Sequence, residues 1–241
     1  MGSGFIDIHC HILPGLDDGS TDIEQTIEML RIARQDGIEA IVASPHVMNG
    51  LYVNSREDIS RQIAYVKSRT NGVALYPGAD VHISRDILEN ARRGALPLIN
   101  DKNYLLLELP SFVLPPLAEV DRIISGLRLM GVVPVITHPE RNLQILENVS
   151  ILQRFLDLGA RCQMTAASIT GKFGSRVQKA CWRMIKKGFI HAVATDAHDV
   201  KRRPPVLSEA HGWVVKKFGP SMAENLFILN PLKMVNGDQT V

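Results

Sequence analysis

The sequence predicts an α/β fold in which short strands alternate with helices and close into a seven-unit (β/α)7 barrel. Three observations predict it. Short apolar runs recur along the whole chain, separated by helix-like stretches. Gly37, Gly72, Gly94, Gly131, Gly159 and Gly188 close those stretches, and glycine tolerates the left-handed turn that ends a helix. Histidine, aspartate or glutamate then stands after one apolar run after another. Strands alternating with helices pair in parallel through right-handed crossovers. In such a barrel the loops after the strands converge on one mouth, where functional groups collect.

The first strand, near 5–10, carries His9, is followed by His11 and leads at once into Asp17-Asp18-Gly19. Thr21-x-x-Glu24 has the form of a capping box and opens a helix near 22–36, with Ile23, Ile27 and Leu30 as its apolar stripe. A strand near 39–43 runs into Ser44-Pro45-His46. Ser55-x-x-Asp58 starts a helix near 56–70, and the strand near 73–76 precedes Asp80. A helix near 84–93 leads to a strand near 104–108 that ends in Glu108. A helix near 116–130 leads to a strand near 132–137, and His138 follows it. After a helix near 149–158, a strand near 160–164 and a helix near 175–187, the strand near 191–195 is followed by Asp196 and His198. Helices near 206–218 and 221–228 complete the pattern. No linker, low-complexity tract or shift of composition divides residues 1–241, so a single domain is expected, with Met1–Gly4 a cloning remnant or flexible lead-in.

Composition excludes several classes of function. The 27 basic and 25 acidic residues leave a formal net charge of +2, which gives no strongly basic face for a nucleic acid. No apolar run approaches the roughly 18 residues a membrane span needs, and the first residues lack the basic and apolar regions of a signal peptide. Cys10, Cys162 and Cys181 are scattered and odd in number, which argues against a disulfide framework and for a reducing cytoplasm. Cys10 lies between two histidines, where strand alternation turns it to the opposite face as packing.

Taken singly, each polar residue at a strand end has an ordinary explanation. His46 before a loop suits a hydrogen-bonded surface histidine, and Asp18 suits a turn. Glu108 after three leucines is harder to set aside, because an unpartnered buried carboxylate is costly. Together they point to a metal centre. His9, His11, Asp18, His46, Asp80, Glu108, His138, Asp196 and His198 are too many for one tetrahedral ion, and mixed imidazole and carboxylate ligation suits manganese, iron or zinc. Clustered divalent cations lower the pKa of a shared water and clamp phosphoryl oxygens. Arg141, closing His138-Pro139-Glu140-Arg141, and Arg203, in Lys201-Arg202-Arg203-Pro204-Pro205, offer the planar fork that suits phosphate. Their ordinary readings are a salt bridge for Arg141 and a solvated charged loop for 201–203.

Asp7-Ile8-His9-Cys10-His11, Asp17-Asp18-Gly19, Ser44-Pro45-His46, Leu107-Glu108, Thr137-His138-Pro139-Glu140-Arg141 and Thr195-Asp196-Ala197-His198 resemble the motifs of the PHP (polymerase and histidinol phosphatase) superfamily. More narrowly, the chain is similar to bacterial manganese-dependent protein-tyrosine phosphatases of capsular and exopolysaccharide operons. Gly15–Gly19, Ala167-Ser168-Ile169-Thr170-Gly171-Lys172-Phe173-Gly174, Arg203-Pro204-Pro205 and Asn230-Pro231 carry the narrower match, and the resemblance runs from about residue 6 to 235. It implies a distorted TIM-like barrel of the PHP type and a site of three divalent ions, manganese first, with iron or zinc as alternatives. His9, His11, Asp80 and Asp196 would hold one ion. Asp80, Glu108 and His138 would hold a second, and Asp18, His46 and His198 a third. A bridging hydroxide would attack phosphorus in line while Arg141 and Arg203 bind the phosphate oxygens; a metal-bound water or His46 would protonate the leaving phenolate.

The resemblance also implies a cytoplasmic enzyme acting on phosphotyrosine in the tail of a bacterial tyrosine kinase that regulates polysaccharide synthesis. Alternatives are a small-molecule phosphomonoesterase, such as a histidinol-phosphate phosphatase, or a non-catalytic metal-stabilised docking module. Two positions depart from the family pattern: Asp80 stands where glutamate is usual, and Thr165 where asparagine is common. Asp7 is expected to support the ligands rather than join them. A cysteine-dependent phosphatase is excluded, because the residues six after Cys10, Cys162 and Cys181 are Leu16, Ser168 and Lys187, none of them arginine.

Overall fold

The structure, a computed structural model, describes residues 4–240. Residues 1–3 of the expected lead-in lie outside the described residues. Every strand pair is parallel. The strands are β1 (Phe5–Cys10), β2 (Ile38–Ala43), β3 (His46–Val47), β4 (Ala74–Pro77), β5 (Asp80–His82), β6 (Tyr104–Glu108), β7 (Val133–Thr137), β8 (Arg161–Thr165) and β9 (Ala192–Ala194). The helices are α1 (Ile23–Gln35), α2 (Arg56–Arg69), α3 (Ile87–Arg92), α4 (Leu117–Leu129), α5 (Leu143–Glu147), α6 (Ser150–Asp157), α7 (Ala166–Ile169), α8 (Ser175–Lys186), α9 (Ser208–Phe218), α10 (Pro220–Glu224) and α11 (Asn230–Asn236).

The expected closed seven-strand barrel is not what forms. The strands make two open parallel sheets, β1-β2-β4 and β3-β5-β6-β7-β8-β9, and no sheet closes on itself among the described residues. Two chain breaks explain the split. β2 stops at Ala43 and resumes as β3 after Ser44-Pro45, where Pro45 has no N–H to give to a ladder. β4 stops at Pro77 and resumes as β5 after Gly78-Ala79. The same two segments pair on both sides of the break, Ala43 with Pro77 and His46 with Asp80. Gly78 is required there, since a Cβ would lie 2.5 Å from Val42 Cγ1. At the other junction β1 meets the segment after β9 by single bonds: Asp196 N–H donates to His9 O at 2.7 Å and His11 N–H to Ala197 O at 2.9 Å.

Other boundaries moved for local reasons. Ser55 and Asp58 form the reciprocal capping box expected of α2. The cap of α1 is Asp22, one residue beyond the expected Thr21, and it accepts Gln25 N–H at 2.8 Å. The helix expected at 221–228 is α10 followed by a π turn at Asn225–Leu229, and α11, which was not expected, carries on from it. Pro231 at the start of α11 lacks the N–H that an uninterrupted α-helix would need, and the wider turn sits just before it.

Burial divides the core in two. An outer cluster lies between strands and helices, with Ile41, Leu105, Leu107, Ile136, Cys162, Met164 and Val193 facing the helices. An inner cluster contains Ile6, Ile8, Val42, Leu106, Val135, Ala194, Met234 and Val235. On β1, β6, β7 and β9 the inner residues precede the polar strand ends, so this apolar plug lies beneath the mouth. Met234 and Val235 bring α11 into it, and Tyr104 Oη donates to Asp238 O at 2.7 Å alongside.

Candidate metal centre

Each strand end delivers its polar residue to the same place, and the backbone is shaped to do so. In β1 one extra residue intervenes between the pairs Asp7–Ile41 and Cys10–Ala43. That bulge re-aims the strand: Ile6 belongs to the inner cluster, whereas Cys10, an even number of residues later, is buried in the outer one. His9 and His11 both face the centre, their Nε2 atoms 3.1 Å apart. His138 (φ 33°) and Asp196 (φ 51°) are non-glycine residues in the left-handed region, a conformation that costs about 1–3 kcal/mol and is kept where surroundings over-determine it. Gly19 lets its loop fold against β1, because a Cβ there would meet His11 O at 2.2 Å.

All nine residues expected as ligands come together. Four overlapping sets have donor atoms within 4.8 Å of one another: His11, Asp18, His46 and His198; His9, His11 and Asp196; His9, Asp80 and His138; and His46, Asp80 and Glu108. Asp80 is central. Its Oδ2 lies 3.5 Å from His9 Nε2, 3.6 Å from His46 Nδ1 and 3.7 Å from His138 Nε2. The expected grouping of His138 with Glu108 is looser than either one's contacts to Asp80 and His46, at 3.8 Å. His46 faces two sets, with Nε2 3.6 Å from Asp18 and Nδ1 3.5 Å from Glu108.

The donors fit divalent cations on the geometry itself. Asp80 Oδ2 and His46 Nδ1 are buried with no hydrogen-bond partner, a costly arrangement that a cation would relieve. His9 Nδ1 sits 3.1 Å from Gln163 Oε1 and His11 Nδ1 2.6 Å from Asp17 Oδ2. If both Nδ1 atoms donate there, neutral rings present two lone pairs to each other at the paired Nε2 atoms. Against the cost of burial, Asp17 and Asp196 push His11 up to about 10, which favours a proton between the two rings. Burial holds His9 neutral, down to about 4, and burial together with charged His11 lowers His198. Asp196 stays ionised despite burial because Arg141 stabilises its charge, with the His11 hydrogen bond and Arg203 beside it.

Arg141 and Arg203 converge on the same carboxylate. Arg203 Nη2 is 2.6 Å from Asp196 Oδ2, and Arg141 pairs with that oxygen too. Both keep partial exposure toward the mouth, with side chains 20 % and 30 % accessible. Asp7 supports rather than joins the donors: it accepts Thr195 N–H at 2.9 Å and Thr195 Oγ1–H at 2.5 Å, and burial pushes it up to about 7.

Three residues were missed as parts of the site. Asp17 orients His11, accepts Gly19 N–H and accepts His46 N–H at 2.9 Å, but in sequence it is one of two adjacent aspartates. Gln163 was readable as a polar residue between Cys162 and Met164 on a buried strand. His82, 3.3 Å from Glu108 Oε2, repeats after Asp80 the two-residue spacing of His9 and His11.

The chain is also similar to known proteins. Tyrosine-protein phosphatase YwqE of Bacillus subtilis (strain 168) is 38% identical over 221 residues, covering 90% of this chain and 86% of that protein. Tyrosine-protein phosphatase CpsB of Streptococcus pneumoniae is 27% identical, covering 95% and 98%. A crystal structure from work on YwqE from Bacillus subtilis and CpsB from Streptococcus pneumoniae, described as metal-dependent tyrosine phosphatases, superposes with a TM-score of 0.93 at 34% identity and covers 98% of this chain and 96% of that one. The family model of capsular polysaccharide synthesis proteins CpsB/CapC matches residues 5–236. This chain therefore belongs to the CpsB/CapC family.

Proposed function

We infer that this protein is a metal-dependent protein-tyrosine phosphatase whose site is the cluster at the strand ends. The observation that carries the reading is the meeting of nine imidazole and carboxylate residues with two arginines in one mouth. His9, His11, Asp18, His46, Asp80, Glu108, His138, Asp196 and His198 would hold three divalent ions, manganese first and iron or zinc as alternatives. Bound divalent ions supply Lewis acidity and make water a nucleophile near neutral pH.

The chain's own groups do the rest. Arg141 and Arg203 compensate the phosphate charge and exchange part of their pairing with Asp196 for it. Gln163 and Asp17 fix the orientation of His9 and His11. A metal-bound water, or His46 if it gives up one of the ligand sets its ring nitrogens face, would protonate the departing phenolate. The substrate is phosphotyrosine on a protein, the tail of a tyrosine kinase in polysaccharide synthesis, and the setting is the cytoplasm. No helix among the described residues is long and apolar enough to cross a membrane. The chain would work as one domain, with its two parallel sheets sharing the mouth.

The test is phosphate release by chelator-stripped protein after adding back Mn, Fe, Zn or Mg singly. Turnover of a phosphotyrosine peptide well above that of histidinol phosphate, restored by one or two of these ions, is expected. Full activity without metal, or preference for the small alcohol phosphate, would overturn the reading.

A further inference from the structure

The loop between α7 and α8 ends a motif, Ala167 to Gly174, that the proposed chemistry leaves without a task. Ile169 earlier in the motif is buried, whereas Phe173 in this loop is 39% exposed. Gly171 (φ 87°) and Gly174 (φ 90°) turn the backbone on either side of it. Gly174 N–H donates to Gly171 O at 2.9 Å, and Lys172 N–H to Ala167 O at 3.0 Å. The Arg141 guanidinium carbon lies 4.6 Å from the centre of the Phe173 ring.

Thr165 meets the same guanidinium, accepting Arg141 Nη2–H on its Oγ1 at 3.1 Å. Thr165 is held in turn by the buried carboxylate of Glu140, which accepts Thr165 N–H at 3.0 Å and Ser168 Oγ–H at 2.7 Å. One short segment, from the end of β8 to the start of α8, thus grips Arg141 by a hydroxyl and by a ring. The two grips differ in kind. The hydroxyl occupies an N–H, whereas a ring face attracts the cation without taking any donor. Arg141 Nε is buried and has no hydrogen-bond partner, so a donor is left over in a guanidinium that is otherwise restrained.

We propose that Phe173 and Thr165 are positioning residues for Arg141, holding its guanidinium in the plane that binds the substrate's phosphoryl group. The proposal rests on the reading of Arg141 as a phosphate ligand. Asp196 already pairs with the same guanidinium, and without the ring and the hydroxyl that pair would be its one remaining hold, about which the plane could swing away from the mouth. A tethered guanidinium meets the incoming anion without first being ordered.

The experiment uses the metal-loaded protein and measures KM and kcat on a phosphotyrosine peptide, the inhibition constant of inorganic phosphate, and metal content. F173L and T165V should each raise KM and the phosphate inhibition constant about three- to tenfold, with metal content unchanged. F173W should restore both constants, because indole is the better cation partner. In an R141A background, already weakened further, F173L and T165V should add nothing. Wild-type constants for F173L and T165V, effects fully additive with R141A, or failure of F173W to restore binding would overturn the proposal while leaving Arg141 a phosphate ligand. Wild-type constants for R141A itself would remove Arg141 from the site, and the proposal with it.

Discussion

Gln163 shows how much a single side chain decides. Its Oε1, 3.1 Å from His9 Nδ1, fixes the ring so that Nε2 faces Asp80 and Asp196. Partners of this kind are worth about 10- to 100-fold in metal affinity. Gln163→Leu should therefore weaken manganese binding by that order in a titration of stripped protein, while the secondary structure by circular dichroism stays unchanged. Wild-type affinity would count against the orientation. At this scale the sequence was most legible where chemistry is rare: a histidine or aspartate after an apolar run has few other uses, and all nine such residues meet. It was least legible where polar residues are common. Asp17 and Asp18 look alike in sequence, and only the fold sends one to His11 and leaves the other half exposed beside His46 and His198.

Among the elements, most boundaries were read to within a residue or two, because capping, glycine stops and apolar runs are local signals. The breaks between β2 and β3 and between β4 and β5 were not read, since their cause is the pairing of two distant segments around Pro45 and Gly78. The short helices α5 and α7 were also missed; each is too brief to show a period. The junction of β8 and β9 carries a pH-sensitive contact of its own. His191 Nδ1 accepts Cys162 N–H at 3.3 Å and His191 N–H donates to Cys162 O at 2.9 Å. Burial and the nearby Arg161 lower His191 to about 4. An unfolded chain protonates it from about 6.5. Between those values the unfolded state binds more protons, so stability is full above the upper value and falls as pH drops toward the lower one. Urea unfolding from pH 7 to pH 4 should show His191→Gln losing less stability than the wild type, by on the order of 2–3 kcal/mol at the acid end. Parallel curves would show that His191 is already charged in the fold.

For the whole molecule, the buried charges of the mouth bind folding to metal. Asp80 and Asp196 are buried, each beside three imidazoles, and a ligand that binds only the folded state stabilises it by RT ln(1 + [L]/Kd), about 2.7 kcal/mol at a hundredfold excess over Kd. The midpoint of thermal unfolding should rise with manganese concentration and fall with chelator, and H138A should reduce that dependence. A midpoint indifferent to metal would mean that the cluster balances its charges with protons alone. Fold class and the convergence of strand ends followed from the pattern of residues. The absence of a closed sheet did not, because it depends on how β1 and the segment after β9 meet: by single bonds at His9 and Ala197 rather than by a ladder.

The apolar plug beneath the mouth imposes an order on traffic. Ile8, Val42, Leu106 and Val135 are fully buried, and Met234 and Val235 pack with them from below. Among the described residues this floor leaves the mouth as the way in between the imidazoles, and on the proposed reading the peptide bearing the phosphoryl group stands there. Once the ester is cut, the peptide must step out before the deeper-lying phosphate can follow. Phosphate is then the last product to leave, so it should compete directly with substrate in product-inhibition kinetics, whereas the dephosphorylated peptide should not. A pattern with the peptide as the competing product would point to a second exit through the floor.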